Sequence, residues 1–218
     1  MRRPTCPACL VAFAASLSVA ACGGAARARL GDIATYEAAV QKNALPVNPA
    51  DVRFMTMMIP HHAQALLFAG WAESHGASPS IQAFCERVVV GQGDEIRTMR
   101  TWLADHDQPV PPGTPESADT RTGKVDHMIS MMPGILSAER LEEIDAARGP
   151  DYDRLFLKYM IPHHQGALTM VDDLFASYGG AQDSYVYKIA SDIFADQTIE
   201  IARMQKMLDA LNADGGAH

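Results

Sequence analysis

Met58-Ile59-Pro60-His61-His62 returns 102 residues later as Met160-Ile161-Pro162-His163-His164, and its flanks return with it. Between 51–69 and 153–171, Asp51/Asp153, Phe54/Phe156, Ala65/Ala167 and Leu66/Leu168 also match, giving nine identities in nineteen positions. A second register follows at an offset of 105, through Gln92/Gln197, Glu95/Glu200, Ile96/Ile201, Met99/Met204 and Leu103/Leu208. Self-similarity at a fixed offset marks a duplicated supersecondary unit. In the first copy, Asn48-Pro49 supplies an N-cap and a first-turn proline, apolar residues recur at Phe54, Met58, Ala65 and Ala69, and Gly76 supplies a stop. Ser78-Pro79 opens a second helix with Phe84, Val88, Ile96, Met99 and Leu103 along it. Each copy is therefore predicted to be a helical hairpin. A hairpin with one apolar stripe per helix cannot bury it alone, so the two are expected to close on each other as an all-α four-helix bundle over 49–212. The repeats span 49–106 and 151–212. The crossover, 107–150, opens with a Pro-, Thr- and Gly-rich loop, Gln108 to Gly123, and carries one short helix capped near Ser137-Ala138-Glu139.

The repeated pentapeptide is chemically unusual. A mid-helix proline removes a backbone hydrogen bond and costs about 3 kcal/mol or more unless its surroundings compensate. Here it appears twice, each time just before a pair of imidazoles, and should re-aim them by a kink that frees the carbonyls of Thr56 and Lys158. Met58 and Met160 lie three and four residues before their histidines, on the same helical face. On the partner helices, Gln92, Glu95 and Met99, and again Gln197, Glu200 and Met204, share one side amid apolar neighbours. A carboxylate on an apolar seam needs a cation or a donor, so Glu95 and Glu200 are expected either to orient the histidines or to ligate directly. The crossover adds His127, Met128, Met131 and Met132, a density of methionine that loop packing alone does not require. Thioethers favour Cu(I) and its analogue Ag(I), imidazole accepts several metals, and carboxylate-rich sites for hard cations are missing from the pattern.

The remaining candidates have plainer readings. Phe54, Trp71, Trp102, Phe156 and Ile193 are assigned to packing, Cys85 to a small buried hydrophobe, and Asp51 and Asp153 to a dipole or capping role in the first turns of their helices. His75, His106 and His218 fall at element ends or the terminus and are expected to face solvent.

Composition narrows the partners. Of 218 residues, 48% are hydrophobic, and 18 basic against 26 acidic residues give a formal charge of −8, which disfavours a nucleic-acid backbone. Twelve Met and eight His are concentrated in the segments just described. At the N-terminus, Arg2 and Arg3 precede an Ala-rich apolar run, Leu10 to Ala21, too short to span a membrane but suited to a secretory signal over 1–21. The run ends in Val19-Ala20-Ala21-Cys22-Gly23, which looks like a lipobox with Cys22 as the lipidated residue, followed by a tether over 22–48 with a short helical stretch from Asp32 to Lys42. The expected location is extracytoplasmic, anchored by lipid to a bacterial membrane.

An exported chain with twin Met-Ile-Pro-His-His motifs, each followed by a Gln-x-x-Glu-Ile-x-x-Met helix, resembles the bacterial family known as domain of unknown function 305. The crossover His127-Met128 through Met132-Pro133-Gly134 also resembles that family's Met-rich linker, with Ile135 where a Met is common and Phe68 opposite Met170. The resemblance implies a ferritin-like four-helix bundle and, as in some family members, periplasmic binding of Cu(I) or Ag(I) in copper resistance. Carried over by position, it places Met58, His61, His62, Met99, Met160, His163, His164 and Met204 in the metal-binding set. Glu95, Glu200, Gln92, Gln197, His127, Met128, Met131, Met132 and Met170 stand as additional ligands or supports.

The expected function is capture of monovalent copper for buffering, sequestration or delivery to an unidentified partner, with no catalytic step. Two other readings compete. A di-iron or di-manganese oxidase would need four carboxylates and two His with Glu-x-x-His motifs, whereas the seam offers two Glu and four His. A metal-free cell-envelope interaction module would use the histidines only as hydrogen-bonded scaffold.

Overall fold

The computed structural model describes residues 46–125 and 127–215. The signal and lipidation assignments over 1–22, most of the tether with its Asp32 to Lys42 helix, and His218 lie outside the described residues. The fold lies in the unit Val47–His218 and is all-α, with no strand among the described residues. No described helix is long and apolar enough to cross a membrane.

The first hairpin pairs α1 (Pro49–Ala69) with α2 (Pro79–Asp105), and the second pairs α5 (Pro150–Ala176) with α6 (Ser184–Gly215). Asn48 caps α1 through its side-chain oxygen, which accepts from the Ala50 N–H at 2.8 Å. Both motif helices continue through their internal prolines. Helix α1 stops earlier than expected: the Gly70 N–H closes on the Leu66 carbonyl, and residues 70–76 form a turn rather than further helix. The crossover loop is more ordered than its composition suggests, with 3-10 turns at Pro115–Ala118 and Thr120–Thr122, then short helices α3 (His127–Ser130) and α4 (Ala138–Ala146).

The hairpins join through α1 and α5, and the core divides into two apolar halves. One half holds Phe68, Phe84, Tyr152, Phe156, Met160 and Met204. The other holds Phe54, Met58, Met99, Trp102, Val171 and Ile193. Each half takes residues from both hairpins, so neither hairpin has a core of its own.

Two expectations are corrected at the turns. Asp51 and Asp153 sit in the first turns of their own helices, but their carboxylates bond into the opposite hairpin. The Ala181 N–H, in the α5–α6 turn, donates to Asp51 Oδ1 at 2.7 Å, and the Ser78 N–H, at the start of α2, donates to Asp153 at 3.1 Å. His75 is buried rather than solvent-facing, at 5% exposure. It lies 3.0 Å from both the carbonyl and the carboxylate of Asp145, and its own carbonyl accepts from Gly149, so it ties the first hairpin's turn to the crossover. The packing assignments hold for Phe54, Trp102, Phe156 and Ile193, all buried, and Trp71 is half-buried. Cys85 is buried as expected, and burial pushes its thiol up to about 12.

Candidate metal centre

Between the two apolar halves lies a layer of polar side chains drawn from all four long helices. His61, His62, His163 and His164 are each at most 1% exposed, and Gln92 and Gln197 at most 4%. The rings of His61 and His163, one from each motif, have centroids 4.0 Å apart. Adjacent rings within a motif are 6.3 Å apart in the first copy and 6.4 Å in the second. The side-by-side histidines of each motif thus flank the seam, and His61 meets its counterpart His163 across it.

The rings are held from behind. His62 Nε2–H donates to Glu95 Oε2 at 2.7 Å, and His164 Nε2–H to Glu200 Oε2 at 2.8 Å. His61 Nε2–H donates to the Pro133 carbonyl at 3.0 Å. In a neutral ring, an acceptor on one nitrogen assigns the proton there and leaves the other nitrogen with a free lone pair. Nδ1 of His61, His62 and His164, and Nε2 of His163, have no hydrogen-bond partner among the described residues. Nor do both amide atoms of Gln92 and the amide oxygen of Gln197. A buried polar atom left unpaired costs about 1–3 kcal/mol, so a layer with seven of them is poorly explained by stability alone.

Burial and the neighbouring rings hold His61 down to about 3 and His163 well below the ordinary imidazole range. Burial thus favours the neutral form of both rings.

The four motif methionines border the layer from both sides. Met58 and Met99 belong to one apolar half and Met160 and Met204 to the other, all fully buried. No three His, Cys, Asp or Glu side chains among the described residues form a ready-made cage. A site completed by thioether sulfur does not need one.

The crossover methionines gather elsewhere. Met128, Met131, Met132 and Met170 line a groove of about 670 Å³ with Met57, a residue the repeat alignment did not single out. Met128 and Met131 are exposed and Met132 is buried. His127 is exposed and does not line this groove. Pro133 belongs both to the groove and, through its carbonyl, to the support of His61.

The seat of that crossover also escaped the sequence reading. Gly166 occupies the position of Gln64 in the other copy, and a Cβ there would overlap the Pro133 carbonyl. Gly134 takes a left-handed φ of 79° against Pro162 and His163, where a Cβ would come 2.6 Å from the Pro162 carbonyl oxygen. Gln64 accepts from the Leu136 N–H at 2.8 Å and donates to the Leu136 carbonyl at 3.1 Å. The signal for both was a departure from the repeat, Gln against Gly, inside an otherwise matching stretch.

Solved structures share this fold. A DUF305 fragment from Deinococcus radiodurans superposes with a TM-score of 0.61 at 26% identity, covering 76% of this chain and 99% of that one. A DUF305 protein from Streptomyces coelicolor gives a TM-score of 0.62 at 20% identity, covering 75% and 94%. CopM in its Cu(II)-bound form gives 0.59 at 27% identity, covering 73% and 96%, and CopM has also been solved with Cu(I) and with Ag bound. No curated protein matches the chain. The family model of domain of unknown function 305 matches residues 51–208, and the chain belongs to the DUF305 family.

Proposed function

We infer that this protein captures monovalent copper, with Ag(I) as its analogue, on a ferritin-like four-helix bundle, and buffers, sequesters or passes on the ion without catalysing a reaction. The observation that carries this is the set of four buried imidazoles, each oriented or packed so that one ring nitrogen has no partner among the described residues. Hydrogen bonds from the far nitrogen to a carboxylate or carbonyl are how proteins fix the tautomer and raise the basicity of ligating histidines. Thioethers of Met58, Met99, Met160 and Met204 on either side supply donors that prefer a soft, polarizable cation. CopM, similar in fold and 26% identical, binds Cu(I) and Ag. Lipid attachment at Cys22 and an extracytoplasmic site of action complete the reading and rest on the sequence of residues 1–22.

The deciding experiment is an anaerobic Cu(I) titration against a competing chelator, with Ag(I) and Zn(II) in parallel and melting temperature as a second readout. A ligand at 100 times its Kd adds about 2.7 kcal/mol to the native state, so Cu(I) and Ag(I) should raise the melting temperature and Zn(II) should do so less. A variant with all four motif histidines changed to Ala should lose most of the affinity near neutral pH. Full Cu(I) affinity in that variant, or an unchanged melting temperature in the parent, overturns the assignment, the latter in favour of a metal-free scaffold.

A further inference from the structure

The polar layer is not symmetrically enclosed. On the side where α1 and α5 meet, the Pro133-Gly134 backbone lies directly on Gly166 and leaves no room for even a methyl group. On the opposite side, α2 and α6 part to leave a cleft of about 300 Å³. Its walls include Glu95 and Glu200, the carboxylates that hold His62 and His164. These side chains are 18% and 24% exposed while the rings they touch are fully buried, so each glutamate connects solvent to an imidazole. The exposed carboxylate of Asp196 stands near both: partial desolvation and then the Glu95 and Glu200 charges hold it above its ordinary range. The Gln92 and Gln197 carboxamides also line the cleft, at least 96% buried, and both Gln92 amide atoms and the Gln197 oxygen have no partner among the described residues. The opposing charges, Arg87 and Arg203, lie over the Phe84 ring at 5.7 and 5.8 Å and so mark the other end of the cleft.

We propose that this cleft is the mouth through which the cation reaches the imidazole layer, with Asp196 as its electrostatic attractor and the Gln92 and Gln197 amide oxygens as the first inner contacts. The inference rests on the capture function and adds its route. Three carboxylates at an opening concentrate cations and raise the association rate without needing to bind them tightly. Unpartnered amide oxygens one step deeper replace hydration water before the ring nitrogens and thioethers take over. Glu95 and Glu200 then stay on the far nitrogens of His62 and His164.

A route obeys detailed balance, which gives the test its signature. Gly91 lies on the cleft wall with open space around the position of a Cβ, and Ile199 lies there at 67% exposure, so Gly91→Trp and Ile199→Trp place bulk in the mouth without touching the imidazoles. The full-length chain is given Cu(I) in dilute acetonitrile under anaerobic stopped flow. Uptake is read by intrinsic fluorescence and release by transfer to a chromogenic Cu(I) chelator. Both plugs should slow uptake and release together, by about tenfold, with equilibrium affinity nearly unchanged, because a barrier in the path alters both rates equally. Asp196→Lys should slow uptake about tenfold at low ionic strength and leave release alone, the effect fading in high salt as charge is screened. Circular dichroism confirms that each variant remains helical. Parental rates in both plugs and in Asp196→Lys overturn the mouth while leaving the capture function standing. Slowing by Met131→Ala in their place moves the entrance to the methionine groove and overturns it too. No Cu(I) uptake by the unaltered chain overturns the capture function itself.

Discussion

Glu95 and Glu200 each accept one hydrogen bond from a buried ring and are themselves only partly exposed, which gives a single carboxylate a disproportionate role. Glu95→Gln keeps an oxygen acceptor of the same length but removes the charge that makes His62 a better donor toward a metal. Loss of such a supporting partner lowers metal affinity by about 10–100-fold in comparable sites, and the same is expected for Glu95→Gln and Glu200→Gln in the chelator competition. Retention of parental affinity in both would show the glutamates to be scaffold only. At this scale the sequence was informative where chemistry repeats. The His pairs, Gln92/Gln197 and Glu95/Glu200 stood out because two copies preserved them, and the structure brings all of them into one layer. The Pro133 carbonyl was not visible, since any residue carries a carbonyl and only the path of the chain puts it 3.0 Å from His61.

The crossover is held closely where it passes between the hairpins. Its Met132–Leu136 stretch is gripped between Gln64 and Gly166, equivalent positions that the repeat has made different because one must bond the passing backbone and the other must stand aside for it. Gly166→Ala forces the Pro133 carbonyl away from α5. Overpacking of this kind costs about 1–3 kcal/mol, here expected as a lower denaturation midpoint, and it should also weaken Cu(I) binding by loosening the acceptor of His61. A variant with parental stability and affinity would contradict that seat. Helix starts were readable from Asn48-Pro49 and Ser78-Pro79 because capping and proline act locally. The early end of α1 and the burial of His75 were not, since the turn over 70–76 is fixed by distant contacts: His75 is captured by Asp145, 70 positions away.

For the molecule as a whole, burying neutral imidazoles links stability to pH. Rings whose protonation is held down in the folded state, to about 3 for His61 and well below the ordinary range for His163, still protonate near 6.5 once unfolded. Below pH 6.5 the unfolded chain binds more protons, so stability is fully present above that pH and falls as pH drops toward the depressed values. The slope is about 1.4 kcal/mol per pH unit for each such ring. Urea denaturation of the metal-free chain at pH 7.5, 6.0 and 5.0 should therefore show a falling midpoint. A His61→Gln, His163→Gln variant should show a flatter profile, and parallel profiles would contradict the linkage.

The exchange of carboxylates between the turns carries a consequence for how the duplication is inherited. Asp51 grips Ala181 and Asp153 grips Ser78, so each half holds the other's bend in shape, as clasped hands do. Neither half is a spare part: a lone fragment would expose both its shared apolar face and an amide that only its sibling can satisfy. The gene's two halves are thereby bound to a common fate, free to diverge where the linker passes and constrained wherever they lock.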